Sequence, residues 1–206
     1  GEQKYKEGDG PMQQIETTNA AELMFFTDRC QVYKTRVSEF ADSKASLLGD
    51  YLPGKLGMDD GESVIYLLLP GDYSGQLLFF FENGKAARIP MAAYETKTNR
   101  RRLTGAYSDK SPLVTILPLR EDQELALLSS EPRALIFHTS QLAPKATRTT
   151  QGVAVMTLKP KYHLQRAVPV EQSGIVNLTR YRTRSIPAAG ALVKPEDQGE
   201  EQLSLL

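Results

Sequence analysis

Three segments of this sequence follow one pattern, in which a short apolar run, a polar turn and a second short run succeed one another. They cover residues 23–34, 77–88 and 125–136, so that successive copies begin 54 and 48 residues apart. Short runs joined by tight polar turns predict β-hairpins. In the second copy, Asn83-Gly84 supplies the positive φ angles that a tight hairpin turn needs. The spacing is typical of propeller blades that contain about four short strands each.

A glycine-containing loop and a second apolar run follow each hairpin. These runs cover residues 64–69, 113–117 and 153–158. They are short and rich in β-branched residues, which favours strands over helices. The one helical candidate, residues 37–48, is predicted to be an insertion between strands. We therefore predict an all-β, propeller-like fold of about three full four-stranded blades and one partial blade, in which residues 175–178 begin a strand.

The start of the first hairpin and the acidic end divide the chain into three parts. Residues 1–20 are a lead-in, in which residues 11–20 could supply a strand that closes the first blade. Residues 21–194 are predicted to form the β domain, and residues 195–206 an acidic tail that is most simply a disordered end. An open arc of three blades, or a piece of a longer domain, would explain the repeats almost as well.

Several kinds of site are disfavoured by what the sequence lacks. One cysteine and two histidines are too few for an internal disulfide or a Cys/His zinc site. The longest apolar run is residues 64–69, whereas a membrane helix needs about 20 residues. Neither glycine-rich phosphate-binding motif is present, and no serine and acid accompany the histidines. We expect a cytoplasmic protein without a cofactor, a metal or a membrane span. A glycosidase is disfavoured because the acids cluster in turns and tails.

The formal net charge is zero, but the charges are segregated along the chain. Residues 1–75 contain seven basic and thirteen acidic side chains, whereas residues 76–194 contain eighteen basic and eight acidic ones. Residues 195–206 contain four acidic side chains and no basic one. The basic middle segment could form a positive surface for a polyanion, or its charges could be scattered and solvated.

Three stretches of this sequence resemble a known family. They are Leu-Met-Phe-Phe-Thr-Asp at 23–28, Leu-Leu-Phe-Phe-Phe-Glu-Asn-Gly-Lys at 77–85 and Arg-Thr-Thr-Gln-Gly-Val at 148–153. Together they resemble the C-terminal repeats of bacterial type IIA topoisomerase A subunits, those of gyrase and topoisomerase IV, over roughly residues 20–195. The resemblance implies a β-pinwheel, a propeller-like disc whose basic rim binds and bends duplex DNA without sequence preference.

The resemblance also implies partners and limits. The partners would be duplex DNA, the breakage-reunion core of the same subunit and the ATPase subunit of the holoenzyme, and the protein would be associated with the nucleoid. The DNA-cleaving tyrosine of the family belongs to the upstream core, so this chain would not be an enzyme by itself. Tyr33 and Tyr66 are then expected to pack on strands.

Two departures from the family pattern affect this interpretation. The Gln-Arg-Arg-Gly-Gly-Lys-Gly box that lets gyrase wrap DNA strongly has no counterpart here, which favours topoisomerase IV or a divergent relative. Cys30 also stands where the first hairpin is expected to have a glycine. The alternative function, a propeller-type protein-interaction module without nucleic-acid binding, is compatible with the acidic first segment.

The candidate DNA contacts are the cations of the basic segment, and we expect them to bind phosphates rather than bases. Lys97, Arg100, Arg101 and Arg102 are predicted to lie in an exposed loop of the second repeat. Lys145 and Arg148 occupy the corresponding loop of the third repeat. Three further arginines alternate, which predicts one face of an extended strand. The predicted set is Lys97, Arg100, Arg101, Arg102, Lys145, Arg148, Lys159, Lys161, Arg166, Arg180, Arg182 and Arg184.

Overall fold

The computed structural model describes residues 21–40, 56–96 and 101–199. The chain divides into two compact units, of which the first contains residues 1–74 and 94–106 and the second contains residues 75–93 and 107–206. The predicted closing strand at 11–20, most of the insertion at 37–48, and the cations Lys97 and Arg100 lie outside the described residues. The boundaries predicted for the β domain at residues 21 and 194 remain predictions.

Twelve β-strands and several 3₁₀ turns make up the regular structure of the described residues. The strands are β1 (Glu22–Thr27), β2 (Gln31–Arg36), β3 (Val64–Leu68), β4 (Gln76–Phe81), β5 (Lys85–Pro90), β6 (Arg102–Thr104), β7 (Leu113–Leu119), β8 (Glu124–Ser129), β9 (Arg133–His138), β10 (Val153–Ala154), β11 (Leu164–Pro169) and β12 (Ala191–Leu192). The 3₁₀ turns are Val37–Phe40, Met91–Tyr94, Thr139–Gln141, Val170–Gln172, Leu178–Arg180 and Pro195–Asp197.

The strands form three antiparallel four-stranded sheets with one shared topology. Their orders are β3-β1-β2-β6, β10-β5-β4-β7 and β11-β8-β9-β12. Each sheet contains a hairpin and a third strand of five to seven residues that pairs with the first strand of that hairpin. Its fourth strand is short and arrives from farther along the chain to pair with the second hairpin strand. The predicted all-β fold with three full four-stranded blades is therefore confirmed.

The three predicted hairpins are β1–β2, β4–β5 and β8–β9. Each turn contains three residues, and the last of these has a positive φ in all three hairpins, +57° at Cys30, +82° at Gly84 and +22° at Pro132. A three-residue turn requires this left-handed residue for the strands to pair in register. Glycine adopts this conformation without a steric penalty, whereas a Cβ makes it costly. Cys30 thus occupies a position at which the turn itself favours glycine.

Replacing Cys30 by glycine is expected to stabilise the first unit by about 0.5–1 kcal/mol, because the left-handed strain outweighs the extra freedom of glycine in the unfolded chain. Urea unfolding followed by circular dichroism would measure the change. Cys30→Ala is the control, since it removes the thiol and keeps the Cβ. An equal gain from both variants would assign the effect to the sulfur and not to the backbone.

Each unit has its own buried core. In the second unit, Leu78 and Phe80 of β4 pack with Leu127 of β8 and Phe137 of β9, so that one core joins two sheets. In the first unit Phe25 packs with Tyr33 and Leu56. Burial of this apolar surface is the main stabilising contribution in either unit. Tyr33 is fully buried on β2 and Tyr66 is half-buried on β3, as the sequence predicted.

Two strand predictions in the second half of the chain are wrong. Only Val153–Ala154 of the run at 153–158 is a strand, and it completes the second sheet by pairing with β5. The long strand of the third sheet is β11, whose polar residues and terminal proline gave no apolar run to detect. The strand predicted at 175–178 is absent because Asn177 has a left-handed φ of +56° and Leu178–Arg180 forms a 3₁₀ turn.

The start of the acidic tail is also ordered. Pro195–Asp197 forms a 3₁₀ turn, and the Asp197 side chain is fully buried. Asp197 accepts hydrogen bonds from Asn177 Nδ2 at 2.6 Å and from Tyr181 Oη. The expectation of a disordered end is therefore wrong for residues 195–199, because a buried carboxylate with hydrogen-bonding partners anchors them. In the described part of the chain, no helix is long and apolar enough to cross a membrane.

Candidate nucleic-acid interface

Three segments lead into the short strands that complete the sheets. We call them the crossover segments; they are residues 91–101 before β6, 139–152 before β10 and 170–190 before β12. Eight of the predicted cations belong to them. The crossover cations are Lys97, Arg100, Arg101, Lys145, Arg148, Arg180, Arg182 and Arg184.

The crossover segments are attached to their sheets at equivalent positions, the fourth residue of the second hairpin strand. In the first sheet Lys34 N–H donates to the Arg101 carbonyl at 2.6 Å. In the second, Lys145 N–H donates to the Arg88 carbonyl at 2.8 Å, and in the third, Thr183 N–H donates to the Ile136 carbonyl at 2.9 Å. In the first two sheets the attachment fixes the backbone of a cation, Arg101 or Lys145. In the third sheet it fixes Thr183, the neighbour of the cation Arg184.

Side chains at the same level of each sheet form a second repeated contact. Lys34 Nζ lies 3.6 Å from Glu22, the first residue of β1, and is almost fully buried. In the second sheet, Arg88 donates to Gln76, the first residue of β4, and its Nη1 donates to Asp122 at 2.8 Å. These residues join the base of each hairpin to its second strand. We call such a contact the hairpin latch.

Arg182 supplies the hairpin latch of the third sheet from its crossover segment. The equivalent residue of β9 is Ile136, which carries no charge, and Arg182 bridges to Ile136 through the backbone. Its guanidinium donates to both oxygens of Glu124, the first residue of β8, at 2.8 and 3.0 Å. The hydrogen bonds from Arg182 hold the pKa of Glu124 below its usual range. Arg182, which was predicted to contact a DNA phosphate, is thus held by Glu124 within the fold.

Three further cations of the predicted set form ion pairs. Arg102 Nη2 lies 3.1 Å from Asp59, and Lys159 Nζ lies 2.9 Å from Glu131. Arg180 Nη1 lies 2.8 Å from the buried Asp197. Arg102 is the first residue of β6 and not part of the loop in which the sequence placed it. A phosphate would have to compete with these carboxylates, so these cations contribute less to polyanion binding than unpaired ones.

Two other predicted arginines donate to carbonyl groups of their own unit. Arg148 Nη1 donates to the Ala93 carbonyl at 2.9 Å, and Arg166 Nη2 donates to the Gln172 carbonyl at 2.9 Å. Both are half-buried. A hydrogen bond to a carbonyl does not neutralise a guanidinium, so these two contacts leave the positive charge of both arginines in place.

The remaining cations of the predicted set that the structure describes are exposed. Among the described members of this set, the side chains of Lys145, Lys161 and Arg184 form no hydrogen bond or ion pair. Arg101 is also exposed. Arg101, Lys145 and Arg184 therefore place one exposed cation in each crossover segment, at or next to the residues that attach the segment to its sheet. Exposed lysines and arginines are the side chains that contact phosphates in nucleic-acid complexes.

The three arginines at the end of the chain do not share a strand face. Arg180 lies in a 3₁₀ turn, Arg182 lies in an isolated bridge to Ile136, and Arg184 lies in a bend. The prediction of one extended face is therefore wrong, because the turns rotate successive side chains differently. Among the described residues, no three histidine, cysteine or carboxylate side chains lie close enough together to hold a metal ion.

A buried carboxylate cluster in the first unit was missed by the sequence analysis. Glu62 accepts hydrogen bonds from Thr27 Oγ1 at 2.5 Å, Gln31 Nε2 at 2.7 Å and Tyr33 Oη at 2.7 Å. Burial raises the pKa of Glu62, but the hydrogen bonds outweigh it and hold the pKa below its usual range. The sequence showed only an acidic loop at 58–62, with no signal that one of its acids is buried.

Comparison with solved structures finds the same architecture in C-terminal domains of topoisomerases. The C-terminal domain of DNA topoisomerase IV superposes with a TM-score of 0.65 at 23% identity, over 76% of this chain and 49% of that one. The C-terminal domain of DNA gyrase A gives 0.58 at 17% identity, over 88% and 64%. The C-terminal domain of E. coli ParC gives 0.59 at 13% identity, over 74% and 63%. This chain has the β-pinwheel fold.

The resemblance predicted from the sequence is thus confirmed at the level of the fold. The matched part of this β-pinwheel spans about half the length of the topoisomerase IV domain. No protein-family profile matches the sequence, and no curated protein matches it.

Proposed function

We propose that this β-pinwheel is the accessory C-terminal domain of a type IIA topoisomerase A subunit and that it binds duplex DNA without sequence preference. The observation that carries the proposal is the exposed cation in each crossover segment, Arg101, Lys145 and Arg184. Each lies at or next to a residue whose backbone bonds to the fourth residue of the second hairpin strand. The domain itself performs no chemistry. Its partners are duplex DNA, the breakage-reunion core of the same subunit and the ATPase subunit.

The binding mechanism is electrostatic. Each lysine or arginine that neutralises a phosphate releases condensed counterions, so affinity falls as salt concentration rises. We propose that the duplex bends on binding, as the resemblance to topoisomerase C-terminal domains implies. With about five phosphate contacts, the slope of log affinity against log salt is about −4 to −5. Ion-paired cations such as Arg182 and Lys159 contribute less, because their carboxylates already hold them.

The test is binding of this chain to a labelled linear duplex at several salt concentrations. The variant Arg101→Ala/Lys145→Ala/Arg184→Ala removes one cation from each crossover segment. We expect weaker binding and a salt slope shallower by about 3, since each duplex phosphate contact contributes about 0.9. The control Lys110→Ala/Arg120→Ala/Lys194→Ala removes the same total charge from exposed positions outside the crossover segments, and should change the slope by less than about 1.

The outcomes separate two functions. A slope near zero for the unmodified chain would rule out duplex binding and leave the alternative, a module that binds a protein through the acidic first segment. Equal losses in the variant and the control would mean that total charge matters and the crossover segments do not. The chain lacks the glycine-rich basic box, which supports topoisomerase IV as the enzyme to which the domain belongs. If nicked circular DNA is closed by ligase while the domain is bound, the closed product should then contain few supercoils.

A further inference from the structure

The turn between β10 and β11 carries an exposed aromatic ring among cations. Residues 159–163 read Lys-Pro-Lys-Tyr-His, and the Tyr162 side chain is 42% exposed. A large ring left partly in solvent beside a lysine lacks the burial that usually stabilises tyrosine in a fold. We call residues 159–163 the Tyr162 turn.

The Tyr162 turn is held firmly against the β8–β9 hairpin. Tyr162 N–H donates to the Lys159 carbonyl at 3.1 Å. Ser130 N–H donates to the His163 carbonyl at 2.9 Å, and His163 N–H donates to Ser130 Oγ at 2.9 Å. The Lys159 ion pair with Glu131 adds a side-chain attachment to the same hairpin. The ring of Tyr162 is therefore presented from an anchored backbone, which reduces the entropy lost when a ligand binds.

The first sheet has an equivalent turn with different side chains. Ser63 N–H donates to Asp28, and Asp28 N–H donates to the Ser63 carbonyl, as His163 and Ser130 do in the third sheet. This correspondence aligns Tyr162 with Glu62. The side chain of Glu62 is buried among hydrogen-bond partners of the first sheet, whereas that of Tyr162 points to solvent. The same backbone turn therefore serves packing in one sheet and exposes an aromatic ring in the other.

The backbone at Lys161 supports a role for this turn beyond packing. Lys161 has a left-handed φ of +77°, and the aligned residue of the first sheet, Gly61, has a φ of +78°. Glycine adopts this conformation freely, whereas a lysine there is strained. Strain of this kind is typical of functional sites. In the described structure the Lys161 side chain forms no hydrogen bond or ion pair, so its charge is available to a ligand.

We infer that the Tyr162 turn is a stacking site for unpaired nucleobases. Tyr162 would stack on a base, and Lys161 would contact the adjoining phosphate. Aromatic rings set between cations bind single strands in this way, since every base offers a π-face to the ring and every nucleotide a charge to the lysine. This site goes beyond the proposed duplex binding, because in a continuous duplex the bases are stacked on each other and only the phosphates are accessible to such a turn.

The test uses the whole chain and a labelled oligothymidylate of about 12 nucleotides, which lies within the usual site sizes. We expect Tyr162→Ala to weaken binding by about 5-fold to 150-fold, the loss that removal of one stacking ring causes, with an unchanged salt slope. Tyr162→Phe, which keeps the ring, should bind like the unmodified chain. Val176→Ala trims a side chain of similar exposure elsewhere in the unit and should have no effect. Lys161→Gly should make the salt slope shallower by about 0.7.

A fluorescence measurement tests stacking directly. The chain has no tryptophan, so Tyr162→Trp introduces a single reporter. Its emission should be quenched by oligothymidylate and not by inorganic polyphosphate, which has the charge without the bases. Unchanged emission at saturating oligothymidylate, equal affinities of Tyr162→Ala and the unmodified chain, or no binding of oligothymidylate would each overturn the inference.

Duplex binding measured in parallel separates this inference from the proposed function. Tyr162→Ala should retain the affinity of the unmodified chain for duplex, while the crossover-segment variant loses it. Oligothymidylate binding that depends on Tyr162, in a chain that binds no duplex, would support the stacking site and reject the proposed duplex binding. If duplex binding depends on salt and Tyr162→Ala leaves oligothymidylate binding unchanged, the proposed duplex binding would be supported and the stacking site rejected.

Discussion

Replacing Gly152 by alanine is expected to lower the free energy of unfolding of the second unit by about 3 kcal/mol. Two costs combine, about 1–2 kcal/mol for a Cβ in a left-handed backbone and about 1–3 kcal/mol for overpacking. Gly152 has a φ of +73°, and an added Cβ would lie 1.9 Å from the Ala86 carbonyl oxygen. That oxygen belongs to β5, with which β10 pairs, so relief of the contact would pull β10 away from its sheet.

Gly174→Ala is a matched control for this prediction. Gly174 also has a φ of +73° and lies in the same unit, but an added Cβ would meet only Gly199, at 4.0 Å. It should cost only the backbone term, about 1–2 kcal/mol. Urea unfolding followed by circular dichroism gives both values. If the two variants were equally destabilised, the close approach of β10 to β5 would contribute nothing.

Glu62→Gln is expected to destabilise the first unit by about 2–3 kcal/mol at neutral pH. The carboxylate accepts hydrogen bonds from Thr27, Gln31 and Tyr33, and bonds to a charged group stabilise by about 1.5–3 kcal/mol. An amide has one oxygen fewer to accept them and brings donors that face other donors. Hydrogen exchange of the β1 and β2 amides would report this loss for the first unit separately, and Glu22→Gln, at a half-buried acid of the same sheet, provides a comparison.

The same residue predicts a dependence of stability on pH. The pKa of Glu62 is lower in the folded protein than the value of about 4.3 in an unfolded chain. The unfolded state therefore binds the proton more tightly, so the contribution of Glu62 is fully present above about pH 4.3 and is lost as the pH falls through the folded value. Unfolding measured from neutral pH to about pH 3 should show a smaller decline in Glu62→Gln than in the unmodified chain. Parallel declines would contradict the assignment.

The hairpins were predictable because their signals are local. Each hairpin lies within about a dozen residues, which contain an apolar run, a turn residue with a positive φ and a second run. In the second hairpin, Asn83-Gly84 is a sequence typical of such turns. The strands β3 and β7 were predictable for a similar reason, since both are short and apolar. The strand β11 was missed because Gln165 and Arg166 interrupt its apolar pattern and its partner strand β8 alone determines its pairing.

The electrostatic partners of the candidate cations were not predictable from the sequence. Glu124 and Arg182 are separated by 58 residues, and Asp59 and Arg102 by 43. Only the folded sheets bring these charges together, so counting cations along the chain overestimated how many are unpaired. Lys145 and Arg148 lie in one loop, as predicted, but that loop leads into β10 of the second sheet and not into a strand of the third. Tyr162 was missed because a lone tyrosine beside lysines has no periodic signal.

The late arrival of the fourth strand in each sheet has a consequence for how the chain folds as it leaves the ribosome. The second sheet can pair β4, β5 and β7 early, but β10 emerges only after the β8–β9 hairpin has been synthesised. Until residue 154 is available, the outer edge of β5 has unpaired backbone groups that could join another chain. A nascent polypeptide stalled before residue 153 therefore leaves this edge open to aggregation.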